Sequence, residues 1–338
     1  AGATNAYPGP RLGFRPWRLL TAVMLGAGFA VKWDGLYILP AFALLAFVWD
    51  VGARRAAGVP APVRAAIRRD WLGWVPSFAL LPVATYTLTW AGWFLGSDSL
   101  AYDRNSVNNV HRSGIIGSLQ NWIAYQCQAY DFHKNLTDTD HYGGGTLIPF
   151  TNFCVDPHTF HAAGKLHPYL SKPFGWFFIS RPVAFYYEAP PTGTDGCHAK
   201  SCSAEILDIG TPMIWWVGIP VLVLLLGLWA AWRDWRAAMI LVVFAATFFP
   251  WALFESRQMF EFYALTTLPL VVLAITMIAG WILGPPGAGD NRRLWGGLGV
   301  GGYLLLAGAN FFWLYPILTG QTLSYANWHA RMWFPGWI

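Results

Sequence analysis

The chain has 338 residues, of which 55% are hydrophobic and only 12% are charged. Soluble domains carry about 25% charged residues, so this composition argues against a water-exposed globular protein. The net charge of +5 does not indicate a nucleic-acid partner, because the arginines cluster in short links between long apolar segments, where anionic cytoplasmic lipid attracts them.

The first membrane segments are predicted to be a pair of short helices. Residues 1–18 are rich in arginine and are predicted to form a cytoplasmic loop. The apolar segments Leu19–Val31 and Leu36–Trp49 follow, each shorter than the ~20 residues that a spanning helix needs. The basic loop 51–70 comes next and also indicates the cytoplasmic side, so the chain has to cross the membrane twice between the two loops.

The rest of the chain alternates in the same way. Trp71–Leu95 is predicted to run outward, which completes three segments within residues 19–95. The polar segment 96–210 is then extracytoplasmic, and we expect it to contain short helices lying on the membrane. Residues 211–316 are predicted to form a four-span bundle, and residues 317–338 an extracytoplasmic tail. The predicted fold class is an all-α integral membrane protein, a multi-pass helical bundle with about seven membrane segments.

Lys32 and Asp34 interrupt the first pair of apolar segments. Ionisable groups at membrane depth are costly, and they mark functional sites by default. The alternative is that the two charges lie at the outer interface, pair with each other and cap the break between the helices.

A second polar cluster lies near the end of the extracytoplasmic segment, where aromatic rings surround a single arginine. Aromatic faces suit sugar rings, and the guanidinium fork suits a phosphate. The alternative is an interfacial aromatic belt in which the arginine contacts lipid headgroups. The candidates in this cluster are His167, Trp176, Arg181, Tyr186, Tyr187 and Glu188.

Two smaller clusters complete the candidates. Arg257 and Glu261 flank a predicted outer turn, and Glu261 begins an otherwise apolar segment. His329 and Arg331 lie among tryptophans near the end of the chain. The alternatives are a solvated turn for Arg257 and membrane anchoring for the terminal pair.

All four cysteines fall in the predicted extracytoplasmic segment. An oxidising compartment favours disulfides, and Cys197 and Cys202 are close enough in sequence to close a small loop; free thiols remain the alternative. The histidine spacings match no compact ligand signature, so the sequence predicts neither a metal nor a cofactor.

Several stretches resemble the protein O-mannosyltransferases, particularly the actinobacterial branch. They occur in the family's order and cover most of the chain: VKWDGLYILPAFALLAFVWD from Val31, SKPFGWFFISRPVAFYYE from Ser171, GTPMIWW from Gly210, RQMFEFYALTTLPLVVLAI from Arg257 and SYANWHARMWFPGWI at the end. The family belongs to glycosyltransferase superfamily C. The resemblance implies transfer of mannose from a polyprenyl-phosphate donor to Ser/Thr hydroxyls of exported proteins, on the extracytoplasmic face of the plasma membrane.

The resemblance also distributes roles. The family's catalytic acidic pair lies in its first outer loop, so we expect that pair upstream of Ala1 and expect this chain to be an incomplete enzyme. Residues 138–164 look like an insertion. Donor phosphate and sugar are assigned to Arg181, Lys32, Arg257, Asp34, Tyr186 and Tyr187, and acceptor or loop roles to His167, Trp176, Glu188, Glu261, His329 and Arg331. Expected partners are membrane lipid, lipid-linked mannose, exported acceptor proteins and the Sec translocon.

Two alternative functions stay open at this point. One is another lipid-sugar-dependent glycosyltransferase that delivers its sugar to a glycan or a lipid. The other is a multi-pass transporter or scaffold, although the apolar segments show no paired broken helices in two halves, which transporters often have.

Overall fold

The computed structural model describes residues 13, 15–96, 106–107, 110–135, 167–254 and 257–338. The predicted insertion at 138–164 lies outside these residues. The chain divides into two compact units, the first comprising Ala1–His133 and Ile148–Phe160, and the second Lys134–Leu147 and His161–Ile338. Each unit is described separately.

The first unit is built mainly from helices. The last of them ends at Asn135, two residues after the boundary of the unit at His133. A short antiparallel strand pair and a π-helical turn, Pro76–Leu80, complete its described elements. The helices are α1 (Pro16–Val31), α2 (Gly35–Ala56), α3 (Pro62–Val75), α4 (Leu81–Thr89), α5 (Ala91–Leu95) and α6 (Gly114–Asn135), and the strands are β1 (Ser106–Val107) and β2 (Val110–His111).

The predicted break between two short helices is present in the first unit. Helix α1 ends at Val31, and α2 begins at Gly35. A Cβ atom on Gly35 would lie 2.8 Å from the backbone nitrogen of Phe29, so the reversal requires a glycine. Helix α1 also packs closely on α4, where a Cβ on Gly26 would lie 2.5 Å from the carbonyl oxygen of Pro82. Small residues permit such approaches between membrane helices.

Residues 51–70, which the sequence analysis treats as a loop, are mostly helical, and the non-helical link is only residues 57–61. Helix α2 continues to Ala56, and α3 starts at Pro62, a residue that is tolerated in the first helical turn. The predicted span Trp71–Leu95 is correspondingly interrupted. The amide of Leu81 bonds to the carbonyl of Pro76 five residues earlier, which is the π-helical pattern.

The second unit contains a helical bundle and a small sheet. Helix α8 packs against α9, α10 and α11, and a 3₁₀ turn, Glu261–Thr267, leads into α10. The helices are α7 (Pro173–Trp176), α8 (Pro212–Trp232), α9 (Trp235–Ala252), α10 (Leu268–Leu283), α11 (Asp290–Leu318) and α12 (Tyr325–His329), and the strands are β3 (Ala184–Glu188), β4 (Cys202–Leu207) and β5 (Leu323–Ser324).

Five helical segments among the described residues are long and apolar enough to cross a membrane. Helix α1 is a shorter apolar helix, and the run from α3 to α4 is broken by the π turn. The protein is therefore a multi-pass helical membrane protein, and the count of about seven segments stays a prediction. The five segments are Gly35–Ala56, Pro212–Trp232, Trp235–Ala252, Glu261–Leu283 and Asp290–Leu318.

The sheet corrects the expectation that the extracytoplasmic segment contains only short helices. Its strand order is β3–β4–β5, with both pairs antiparallel. Strand β3 contains the aromatic run Phe185–Tyr187, and aromatic residues favour strands. Cys197 forms a disulfide with Cys202, the first residue of β4, and the described residues include no free cysteine.

The largest buried cluster of the second unit lies where the sheet and its adjoining turns meet the helices. Tryptophans dominate it, and they come from segments that are distant in sequence. Its largest members include Trp176, Trp215, Trp251, Trp328 and Trp337. This core fixes the turns that carry the polar candidates described next.

Candidate functional site

The turn that carries Arg181 is attached to the core through Trp176. The Trp176 indole donates to the Oγ of Ser171 at 2.9 Å, and the Ser171 amide donates to the carbonyl of Met259 at 2.9 Å. Trp176 is only 1% exposed. The ring is enclosed by other side chains and anchors the turn, which agrees with the loop role among the two predicted for Trp176 and leaves little of the ring exposed to an acceptor.

Ile179 gives this turn an unusual backbone. Its φ is 53°, a left-handed conformation that is rare for a β-branched residue and costs on the order of 1–3 kcal/mol. The Trp337 indole donates to the carbonyl oxygen of Ile179 at 2.7 Å. The surrounding core thus holds a strained residue two positions before Arg181.

Two glycines allow the chain to close around Ser180. A Cβ on Gly336 would lie 2.3 Å from the Ser180 carbonyl oxygen, and a Cβ on Gly175 would lie 2.3 Å from its Oγ. Contacts below 3.0 Å force a shift of the neighbouring atoms. The segment around Gly336 is therefore seated directly against the turn that presents Arg181.

The Arg181 guanidinium is held by backbone carbonyl groups. Its Nε donates to the carbonyl of Pro168 at 3.0 Å, and its Nη1 donates to that of Gly336 at 2.9 Å. A longer Nη1 contact of 3.4 Å reaches the Ile338 carbonyl, and the Tyr169 ring lies 5.5 Å from Cζ. Within the described chain, no acceptor is found for Nη2, so two guanidinium hydrogens face no protein partner.

Glu261 supports the same residue from the other side. Its Oε2 accepts a hydrogen bond from the Arg181 amide at 3.1 Å, and the residue is 6% exposed. The Glu261 carboxylate thus bonds to the backbone of Arg181, while the Arg181 guanidinium bonds to backbone carbonyls. This burial places Glu261 in a positioning role for Arg181.

Asp208 is a polar group that the sequence analysis did not single out. It interacts electrostatically with Glu261, and its Oδ2 is buried with no hydrogen-bond partner in the described part of the chain. Burial raises the pKa of Asp208 to about 6. Asp208 directly follows β4. An acidic residue at the end of an apolar strand is the sequence signal that could have identified it.

The tyrosines of β3 are exposed and bonded to neighbours. Tyr186 donates its hydroxyl hydrogen to Glu188, and this bond is the main reason that the pKa of Tyr186 is raised. The Tyr187 hydroxyl lies 3.2 Å from the Ser203 Oγ. Phe185 is exposed as well, so the strand that follows Arg181 carries three consecutive exposed aromatic rings.

His167 lies near Arg181. Its ring contacts Phe260 edge-on, with 5.0 Å between centroids, and Tyr169 at 5.8 Å. The structure therefore brings His167, Arg181 and Glu261 into one neighbourhood, with Tyr169 between the histidine and the guanidinium.

The other predicted site residues lie in separate local environments. Lys32 forms an ion pair of 3.8 Å with Asp34 at the helix break of the first unit. Arg257 stacks over Trp251 at 5.7 Å, and Arg331 over Trp313 at 4.3 Å. Arg331 also donates from Nε to the Trp313 carbonyl at 2.8 Å.

His329 lies at the end of α12, with its ring 5.9 Å from that of Tyr325. Among the described residues, no group of three or more His, Cys, Asp or Glu side chains could hold a metal ion.

The family described as "C-terminal four TMM region of protein-O-mannosyltransferase" matches residues 154–337. The polyprenol-phosphate-mannose–protein mannosyltransferase of Mycobacterium tuberculosis strain H37Rv is 36% identical, and that of Mycolicibacterium smegmatis strain MKD8 is 37% identical. The corresponding protein of Corynebacterium glutamicum is 29% identical. Each match covers 97% of this chain, which spans 59% of the length of each relative.

Among solved structures, the chain resembles the Saccharomyces cerevisiae protein O-mannosyltransferase Pmt1-Pmt2 complex bound to the sugar donor. That match has a TM-score of 0.47 and 17% identity, and it covers 67% of this chain and 27% of the other. The family match is the decisive finding, since it extends over more than half of the chain. The chain belongs to the protein O-mannosyltransferase family.

Proposed function

We propose that the complete protein transfers mannose from polyprenyl-phosphate mannose to Ser or Thr hydroxyls of exported proteins. The observation that carries this proposal is the similarity, at 36–37% identity over 97% of the chain, to proteins named polyprenol-phosphate-mannose–protein mannosyltransferases. The chain contributes the four-span portion and the arginine site, while the carboxylate base is expected in the part of the relatives that this chain does not cover.

The arginine pattern supports an orientation for this chemistry. Residues 51–70, 233–236 and 284–294 connect apolar helices and carry arginines, which favours the cytoplasmic side. The segment 96–210 and the tail 317–338 then face outward from the plasma membrane. This topology puts the Arg181 turn on the side where exported proteins emerge, and it is compatible with a partnership with the Sec translocon.

Arg181 is our first candidate for the cation that receives the leaving phosphate. In a single inverting displacement, an acceptor hydroxyl attacks the anomeric carbon of mannose, and the polyprenyl phosphate departs with additional negative charge. Preorganised donors aimed at developing charge lower the barrier without reorganisation. The Arg181 fork is fixed by the carbonyls of Pro168 and Gly336, and its Nη2 hydrogens are left for phosphate oxygens.

The remaining predicted residues receive secondary roles in the proposal. Lys32 and Arg257 are the next candidates for donor phosphate, with Asp34 orienting Lys32 through their ion pair. The exposed rings of Tyr186 and Tyr187 are candidates for stacking on the sugar. We further propose that His167, Glu188, His329 and Arg331 contribute to acceptor binding or to loop structure.

The test uses the full-length enzyme with labelled polyprenyl-phosphate mannose and a Ser/Thr peptide. We expect Arg181→Ala to reduce turnover about 10²-fold to 10³-fold, the usual cost of removing a donor to developing negative charge. Arg236→Ala is the matched control, because Arg236 is exposed and its only ion-pair partner in the described part of the chain is Asp234, and such exposed pairs contribute little to stability.

A structural role for Arg181 has to be separated from a role in the reaction. Trp337→Phe removes the bond to Ile179 and is expected to lower stability with a smaller effect on turnover than Arg181→Ala. Near-normal turnover of Arg181→Ala would remove it from the mechanism. Efficient transfer to a glycan or lipid with no transfer to peptide would replace the proposed function, as would sugar-independent flux through proteoliposomes.

A further inference from the structure

The first unit contains a cavity with an unusual concentration of arginines. Its volume is about 660 Å³, and it lies where α1 begins, where α2 nears its end and along the middle of α3. Five arginines and two aspartates line it, a formal excess of three positive charges. None of these residues belongs to the arginine site described above.

The two aspartates are already occupied by protein groups. Asp50 is fully buried and accepts hydrogen bonds from Arg15 and from the Trp74 indole, the latter at 3.0 Å. Asp70 is bonded by Arg54 through Nε at 3.1 Å and Nη2 at 2.7 Å. These pairs form a rigid frame and neutralise Arg15 and Arg54.

Three arginines remain as the positive excess. Arg18 lies 3.8 Å from Asp50, which Arg15 already neutralises, and its Nε is buried with no partner in the described chain. A Cβ on Gly73 would lie 2.1 Å from the Arg18 Nη2, so the glycine makes room for this guanidinium. Arg68 and Arg69 are exposed on α3 and have no carboxylate partner among the described residues.

An apolar cavity adjoins the charged one and shares Arg68 with it. Its volume is about 520 Å³. Val63 and Ile67 line it and are themselves about half exposed, at 46% and 51%. A charged cavity beside an apolar one matches an anionic lipid, which has a charged headgroup and apolar acyl chains.

We propose that this pair of cavities binds an anionic phospholipid, with the phosphate between Arg18, Arg68 and Arg69 and an acyl chain along Val63 and Ile67. Arg68 and Arg69, which have no carboxylate partner among the described residues, and Arg18, which shares Asp50 with Arg15, supply charge-assisted hydrogen bonds to phosphate oxygens. Helix α1 begins at the cavity, and the positive end of its dipole adds to the attraction. The orientation proposed above assigns the lipid to the cytoplasmic leaflet, but the binding itself does not depend on mannosyl transfer.

The experiment measures lipid binding to the full-length protein by native mass spectrometry in detergent micelles. Phosphatidylglycerol, phosphatidylcholine and inorganic phosphate are titrated separately. The test variant is Arg68→Gln/Arg69→Gln. The matched control, Arg55→Gln/Arg293→Gln, removes two exposed arginines of the same predicted membrane side that do not line the cavity. Thermal midpoints verify that both variants are folded.

We expect the test variant to lose affinity for phosphatidylglycerol by about thirtyfold, at about fivefold for each arginine. The control should change by less than about threefold, and phosphatidylcholine should bind much more weakly than phosphatidylglycerol. If inorganic phosphate binds with the same dependence on Arg68 and Arg69 while phosphatidylglycerol does not, the anion site stands, but its ligand is free phosphate.

Two results would overturn the proposal. Equal losses in the test and control variants would mean that only general surface charge attracts the lipid. Equal affinity for phosphatidylglycerol and phosphatidylcholine would mean that the cavity does not recognise the net negative charge of the headgroup. Since neither result involves sugar transfer, both are distinguishable from a failure of the proposed enzymatic function.

Discussion

Replacing Trp328 by phenylalanine should release a buried carboxylate and loosen the segment that faces Arg181. The Trp328 indole donates to the Glu205 Oε2 at 2.6 Å, and both residues are 4% exposed. A hydrogen bond to a charged group contributes about 1.5–3 kcal/mol. We therefore expect the free energy of unfolding to fall by at least that amount, with a further loss from the smaller ring.

A double-mutant cycle isolates the hydrogen bond from the loss of ring volume. In a Glu205→Gln background the same indole donates to a neutral oxygen, and such bonds contribute about 0.5–1.5 kcal/mol. The Trp328→Phe substitution should thus cost about 1 kcal/mol less in that background, because the change in ring size is common to both arms. The free energies are measured by denaturant titration of the full-length protein in micelles.

The cost of Trp328→Phe should also depend on pH. Burial raises the pKa of Glu205, and the hydrogen bond from Trp328 lowers it part of the way back. Without the indole donor the pKa rises further, so the charged carboxylate is destabilised more in the variant. The difference between the two proteins is largest where Glu205 is ionised in both, and it shrinks as the pH falls through the raised pKa.

Equal costs in the two backgrounds, with no change on acidification, would refute the charge-assisted bond. A functional consequence is expected as well. Trp328 lies in α12, eight residues before Gly336, whose carbonyl accepts from Arg181. Under the proposed function, loosening this segment should lower mannosyl transfer by the full-length protein more than it lowers binding of the donor.

Two further perturbations test the same neighbourhood. Gly336→Ala places a Cβ 2.3 Å from the Ser180 carbonyl oxygen and should cost about 1–3 kcal/mol of stability. We expect a lower unfolding midpoint and reduced mannosyl transfer under the proposed function. An unchanged midpoint would contradict the close approach. Asp208→Asn should stabilise the protein by about 2 kcal/mol above pH 6, allowing for partial exposure, because the pKa of Asp208 is raised from 3.8 to about 6. That gain should disappear below about pH 4, where the carboxyl is protonated in the folded and unfolded states, and a gain independent of pH would contradict an unpaired charge.

The helical architecture was predictable from two local features of the sequence, the length of its apolar segments and the polar and glycine residues that interrupt them. Apolar segments of sufficient length require helices in a membrane, and this length predicted the bundle of the second unit. The lysine and glycine around the first break indicated where α1 ends and α2 begins. The start of α3 at Pro62 was missed, since a basic polar segment carries no signal for whether it is a loop or a helix that extends beyond the membrane.

The sheet was missed for a different reason. Strand β5 has two residues, and it pairs with β4 more than a hundred positions earlier. Two residues have no periodicity to detect, and pairing at that separation depends on the fold. The burial of Trp176 could not be predicted either, because a tryptophan in an aromatic run occurs both at membrane interfaces and in protein cores.

Arg181 could be proposed as a site residue from the sequence, but the contacts that hold its side chain could not be predicted. Among the described residues, the acceptors of its guanidinium are all backbone carbonyls, and a backbone carbonyl is present at every position whatever the residue type. This distinguishes it from Arg54, whose charge is cancelled by Asp70. Glu261 bonds to the Arg181 amide, so the nearest buried carboxylate fixes the backbone. A guanidinium that is immobilised by neutral groups keeps its full charge, and the role proposed for Arg181, receiving a departing phosphate, requires a fixed charge that no carboxylate cancels.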